Sequence, residues 1–258
     1  MLISLVTAPE PYHKYSRKIK TTLVMKYLNI NKLSLLMVST IVSALFIPSP
    51  CSVLQAGDDS FKLLLLKPGE MLIPETFDKD SEKVQSWAKY GTQWQVVEGV
   101  FVGRPASLDY QKSHPGKHSG STPRLEMKVP KCNDGFIMKF DFKFEKKIDG
   151  ASFWLGHHLF KLIIKDNLPS MICTRGKKDT FTTALKPIDG PMIKNKWYSV
   201  MMEGHGVHRV LQVSGFEPLR VEGVSFDKIS PVRMAGVKGA SFHFDNFEFI
   251  KGAGLLKP

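Results

Sequence analysis

Between Phe136 and Glu145 the chain alternates. Phe136, Met138, Phe140, Phe142 and Phe144 fall on one parity, and Ile137, Lys139, Asp141 and Lys143 on the other. Period two is the mark of a strand with one face against a core. The phenylalanine parity is the predicted core face. The polar parity is either a salt-paired outer surface or one wall of a binding groove. Similar short runs recur along the chain: "FKLLLLK", "GEMLIPETF", "TQWQVVEGVFVG", "RLEMKVP", "ASFWLG", "HLFKLIIKD", "SMICTR", "KWYSVMMEG", "HRVLQVSG", "EPLRVEGV", "RMAGVKG" and "ASFHFDNFEFIKG". Gly99 marks a tight turn or bulge, and "GHH" marks a hairpin between two of the runs. Arg104 to Pro123, rich in Ser, Pro, Gly and His, reads as a surface loop. Only "DKDSEKVQSWAKY" shows a helical period, with "SFDKIS" a weaker turn. Many short strands with almost no helix predict a two-sheet antiparallel sandwich.

The first quarter of the chain changes the picture. Leu33 to Ile47 is an apolar run, preceded by Lys26 and Lys32 and ended by "PSP". It is short for a membrane span and has the layout of a secretory signal peptide. We expect cleavage after Ala56, with Met25 as the start, residues 1–24 as an upstream extension, and residues 57–258 as one β-sandwich domain with its core at about 60–252. The mature protein is then secreted or periplasmic. Cys51 opens the alternative of a lipid anchor, although Pro50 stands where a small residue is wanted. The formal charge of +12 falls with the leader, which holds six basic residues and one acid, to 30 basic against 23 acidic side chains, +7. That balance suits an anionic polysaccharide or glycoconjugate as partner, as it suits an ordinary basic secreted protein. No nucleic-acid-binding motif is present. Cys132 and Cys173 are left after cleavage, and an oxidising compartment permits their pairing without requiring it.

"ETFDKDSEKVQSWAKYGTQWQVVEGVFVG", "NKWYSVMMEGHGVHRVLQVSG" and "ASFHFDNFEF" together resemble concanavalin A-like jelly rolls of the 3-keto-disaccharide hydrolase type. The likeness runs from about Glu75 to Gly252. The strand end "FWLGHH" is similar to that of a less characterised branch in secreted proteins of planctomycete-like bacteria. The resemblance implies a jelly roll and a sugar ligand. It also implies a catalytic Glu at the position of Lys161, a Gln at Ile163 and a Ser at Ala151, so the catalytic pattern is broken where it should sit. The E-x-D-x-x-E motif of laminarinase-type hydrolases, which sets carboxylates on one strand face, is absent.

The remaining chemistry is a set of candidates. His157 and His158 are candidate acid–base or binding groups, with Asp141 assisting catalysis. Adjacent residues on an extended chain point to opposite faces, so both reach one centre only through a sharp bend. His114 and His118 have a ligand-like spacing, but Pro115 and Gly116 interrupt any helix there. Trp154 is a candidate sugar-stacking ring, with Phe153 and Leu155 turned to the core. Trp94 and Trp197 are assigned to the core. Lys139, Asp141, Lys143 and Lys161 are candidate ligand contacts; if their strands are neighbours, the charges share one sheet face. By the jelly-roll resemblance, Asp245, helped by Glu75, is the candidate for a structural Ca²⁺. Three functions follow: a non-catalytic glycan-binding module, a sugar hydrolase or lyase, or a structural envelope protein.

Overall fold

A computed structural model describes residues 61–257, apart from 80–81, 117–118, 133–134, 147–149, 157–159, 176–178, 224 and 226–230. The expected leader, including Cys51 and Ala56, lies outside the described residues. Among the described residues, fourteen strands and two short helices follow in the order β1 (Leu66–Glu75), α1 (Glu82–Gln85), β2 (Gln93–Val97), β3 (Val100–Arg104), α2 (Leu108–Ser113), β4 (Arg124–Met127), β5 (Phe136–Phe144), β6 (Ala151–Leu155), β7 (Phe160–Lys165), β8 (Leu168–Arg175), β9 (Asp179–Ala184), β10 (Tyr198–His205), β11 (His208–Val213), β12 (Leu219–Glu222), β13 (Val232–Ala235) and β14 (Phe242–Leu255). They form two antiparallel sheets. The first has the order β12-β11-β10-β5-β14-β3-β2, with β1 also on β14; the second has the order β4-β13-β6-β7-β8-β9.

The alternation in β5 is realised. Phe136, Met138, Phe140, Phe142 and Phe144 are all buried in the core between the sheets. Phe153 of the second sheet touches both Phe140 and Phe142, with ring centroids at 4.5 and 5.2 Å. Tilted aromatic pairs at such distances add to the burial of apolar surface. Ala151, Phe153 and Leu155 of β6 and Phe160, Leu162 and Ile164 of β7 supply the facing wall. Cys132 and Cys173 are both buried as thiols in this core.

β14 breaks its own alternation once. Phe242 and Phe244 point inward, and so do Phe247 and Phe249. A bulge between Asp245 and Glu248 places three residue steps against two on β5 and makes this possible. Asn246, at φ 49°, is the residue that turns. Before the bulge β14 pairs with β3; after it, β14 pairs with β1. The bulge is therefore the fork at which one neighbour replaces another.

Residues 61–65 were expected to be a strand; they form a strap over the outer face of the first sheet. Leu64, Leu65 and Leu66 each donate a backbone N–H to the carboxylate of Glu203 at 2.9 Å. Gln212 donates to the Lys62 carbonyl at 2.9 Å. Phe61, Leu63 and Leu65 pack on Leu66, Ile137, Met201 and Ile250. Glu203 is wholly buried, and the three donors satisfy its charge where water is excluded.

Other parts of the chain differ from the sequence pattern. The expected loop 104–123 contains α2, whose start is capped by Ser107 Oγ accepting from Tyr110 N at 3.2 Å. β9 lies in "DTFTTA", which has no strong apolar alternation. Trp197 is only half-buried on the outer face of the first sheet, where Lys143 Nζ stands 4.9 Å from its ring. The helical period after Asp78 yields the single turn α1.

Glu203→Ala is expected to lower the unfolding free energy by about 3 kcal/mol, because three N–H groups, one buried and two partly buried, lose their acceptor. Urea denaturation measures this, and limited proteolysis should then cut near 61–66. Unchanged stability would show that the strap adds nothing to the fold.

Candidate functional site

The candidate ligand set Lys139, Asp141, Lys143, Trp154, His157, His158 and Lys161 is divided by the sandwich. The first sheet carries Lys139, Asp141 and Lys143 on its outer face. Trp154 and Lys161 lie on the outer face of the second sheet, because Phe153, Leu155, Phe160 and Leu162 take the inner positions of β6 and β7. β5 and β7 are not neighbours, so the expected ladder linking Lys161 to the Lys–Asp–Lys parity does not form. His157 and His158, like His118, lie outside the described residues. β6 and β7 belong to the second sheet, whereas Asp141 belongs to the first.

On the first sheet the polar parity of β5 is satisfied within the protein. Lys139 pairs with Glu248 at 3.2 Å. Lys143 stands over Trp197, and His243 meets the same ring edge-on at 6.4 Å. His243 Nε2 lies 2.9 Å from Glu145 Oε1. Asp141 accepts from Asn246 Nδ2 at 2.7 Å and from Ser199. Opposite Asp141 stands Asp245 on the neighbouring strand. Burial raises the Asp245 carboxyl to about 6, against a hydrogen bond from the Asn246 N–H, and Asp141 and Asp78 push the same way. Asp141 is raised as well, first by burial. Two desolvated carboxylates side by side resist sharing negative charge.

The calcium expectation meets this arrangement. Glu75 accepts from Phe77 N at 3.2 Å and pairs with Lys83 at 3.6 Å. Among the described residues no three His, Cys, Asp or Glu side chains are grouped to hold a metal ion. His114 stacks on Tyr110 with centroids 4.0 Å apart, which gives it a structural partner.

The second sheet presents something different. One transverse row runs through all six strands: Glu126, Arg233, Trp154, Lys161, Ile172 and Thr182. The next row is Arg124, Ala235, Ser152, Ile163, Ser170 and Ala184. Four of those six are Ala or Ser, so a low strip runs beside the indole. Trp154 is half-buried, with a cation on each side. Lys161 Nζ lies 5.5 Å from the ring centroid. Arg233 Nε donates to Glu126 Oε2 at 2.7 Å. Burial lowers the Lys161 ammonium below its ordinary value. Among the described residues no carboxylate reaches it. Glu126 is the one carboxylate in the two rows.

Arg233 and Glu126 were missed in the sequence. The alternation of "RLEMKV" and "PVRMAGV" turns both outward, as Leu125, Met127, Val232 and Met234 turn in. What it lacks is the pairing of β13 between β4 and β6, which brings residues 107 positions apart into one salt bridge. Two cavities lie away from this row. One of about 450 Å³ is lined by Leu65, His208, Arg220 and Glu222 among others. One of about 500 Å³ is lined by Glu70, His205 and Lys251 among others. Neither is lined by Phe, Tyr or Trp.

No protein-family model matches the chain, and no curated protein matches it in sequence. The sandwich is similar to that of a sialidase, with a TM-score of 0.51 at 9% identity, over 72% of this chain and 19% of that one. The chain is an all-β jelly-roll sandwich. It is also similar to a carbohydrate esterase of the Shiga toxin-encoding bacteriophage phi24B, with a TM-score of 0.47 at 13% identity over 71% and 99% of the two chains. An endo-β-1,4-glucuronan lyase from the fungus Trichoderma reesei gives 0.49 at 8% identity over 70% and 96%. At these identities the likeness bears on the fold, and jelly rolls host unrelated chemistries.

A pH dependence follows from Asp245. Its folded value, about 6, lies above the ordinary 3.8, so between these the folded state holds a proton that the unfolded state has released. Stability should fall as pH rises from about 4 through 6 and then level off. Asp245→Asn should flatten that fall and raise the melting temperature at pH 8 more than at pH 4.5. Thermal unfolding across this range measures it; equal gains at both pH values would contradict it.

Proposed function

We infer that this protein is an exported, non-catalytic carbohydrate-binding jelly roll whose binding face is the outer surface of the second sheet, centred on Trp154. One observation carries the reading: Trp154 stands partly exposed between Arg233 and Lys161 in a row that crosses the whole sheet. An indole face meets the C–H side of a pyranose, and flanking cationic N–H groups donate to hydroxyl or carboxylate oxygens. The low Ala/Ser strip gives an extended chain a path beside the ring.

Hydrolysis is the weaker reading. Glycoside hydrolysis ordinarily takes two carboxyl groups flanking the scissile bond. The two rows offer Glu126 alone, and Arg233 holds it. Kinship with the 3-keto-disaccharide hydrolase type belongs to this proposal through the sequence motifs already described, with Lys161 in place of the catalytic acid. A fold shared with a sialidase accords with a sugar ligand. Export rests on the signal-like leader.

Affinity electrophoresis and calorimetry against a panel of neutral and acidic soluble polysaccharides test the proposal. At least one should bind. Trp154→Ala should weaken it about tenfold, in line with the loss of one aromatic contact, while circular dichroism stays that of the parent. Binding that survives Trp154→Ala unchanged, or no binding across the panel, overturns it.

A further inference from the structure

Resting on the binding face just described, the charge of that face points to a narrower ligand class. The two rows hold Arg124, Arg233 and Lys161 against Glu126, a net +2. Arg124 stands over the ring of Tyr90, its guanidinium carbon 5.4 Å from the centroid. Arg233 uses Nε for Glu126, and among the described residues nothing accepts from its Nη groups. Lys161 sits between Trp154 and Ile172, with no carboxylate in reach among the described residues. Elsewhere Lys139 has Glu248 and Lys186 has Glu217 at 2.8 Å, while Lys143 of the first sheet, like Lys161, faces only an indole.

A half-buried ammonium beside an indole and an isoleucine loses hydration without gaining a counter-charge, which is costly unless an anion supplies one. Adjacent strands lie roughly 4.8 Å apart, so Arg233 and Lys161, two strands apart, are separated by roughly 10 Å with the indole between them. One sugar stacked on Trp154 therefore brings its exocyclic substituent within reach of either cation. We propose that the second-sheet face selects uronic-acid polysaccharides, with a pyranose on Trp154 and its carboxylate on Lys161 Nζ, Arg233 acting as the second cation. Lys161 then sets specificity and Trp154 supplies general sugar affinity.

A polyuronate and the same polymer after chemical reduction of its carboxyl groups separate the two roles. The wild-type protein should bind polygalacturonate or alginate about tenfold or more tightly than its carboxyl-reduced form, as a charge-assisted contact gives. Lys161→Met should erase that preference, weakening binding of the intact polymer about tenfold and that of the reduced polymer by clearly less. Trp154→Ala should weaken both. Lys67→Met, at an exposed position of β1, should change neither and so controls for the basic net charge. A preference for a sulfated neutral polymer over the polyuronate overturns the carboxylate assignment. Equal binding of intact and reduced polymers, lost on Trp154→Ala, overturns the acidic selectivity and leaves the glycan-binding reading standing. Absence of binding to every polymer overturns both.

Discussion

Everything in this sandwich is arranged around the contact of Phe153 with Phe140 and Phe142. These rings join the two sheets at the middle of the core. Because strands alternate, a phenylalanine that points inward at 153 forces Trp154 outward, and phenylalanines inward at 140 and 142 force Asp141 outward. The faces available for function are set by this contact. So is their separation: a core two side chains thick stands between Asp141 and Trp154, and no single ligand touches both.

The outer faces have been treated differently. On the first sheet the strap, the Glu203 anchor, the Lys139–Glu248 pair and the Asp141–Asn246 contact cover or satisfy most polar groups. Lys143 of the first sheet and Lys161 of the second each stand over an indole without a carboxylate. What distinguishes the second sheet is that the Nη groups of Arg233 lack an acceptor among the described residues and that a low Ala/Ser strip runs beside Trp154.

Much of the architecture was legible in the sequence. The two-residue period of β5 and the Phe–Trp–Leu order of β6 are local, and local alternation assigns inner and outer faces without knowledge of partners. The Glu98–Gly99 turn between β2 and β3 is equally local, with φ of 52° and 77° at the two positions. What escaped depends on non-local pairing. The Glu126–Arg233 bridge joins distant strands, and nothing near either residue announces the other. The strap reads as a strand because its run of leucines, 63–66, satisfies the same pattern whether it pairs or merely lies across a sheet; only Glu203, far along the chain, decides it. β9 is polar because its face is exposed, so periodicity had little to register. The grouping of Lys161 with Lys139 failed for a related reason: parity tells which way a side chain points from its own sheet, and not which sheet that is.

The pairing of β1 with β14 brings Leu66 opposite Leu255, and Leu256 donates to the Leu65 carbonyl. The first and last strands thus begin and finish side by side, antiparallel, at one corner. A pull applied to the two ends would load their hydrogen bonds one after another, as a zipper opens, rather than all at once in shear. The Asn246 fork marks where that opening reaches the aromatic core, and the Glu203 anchor is the first catch it meets.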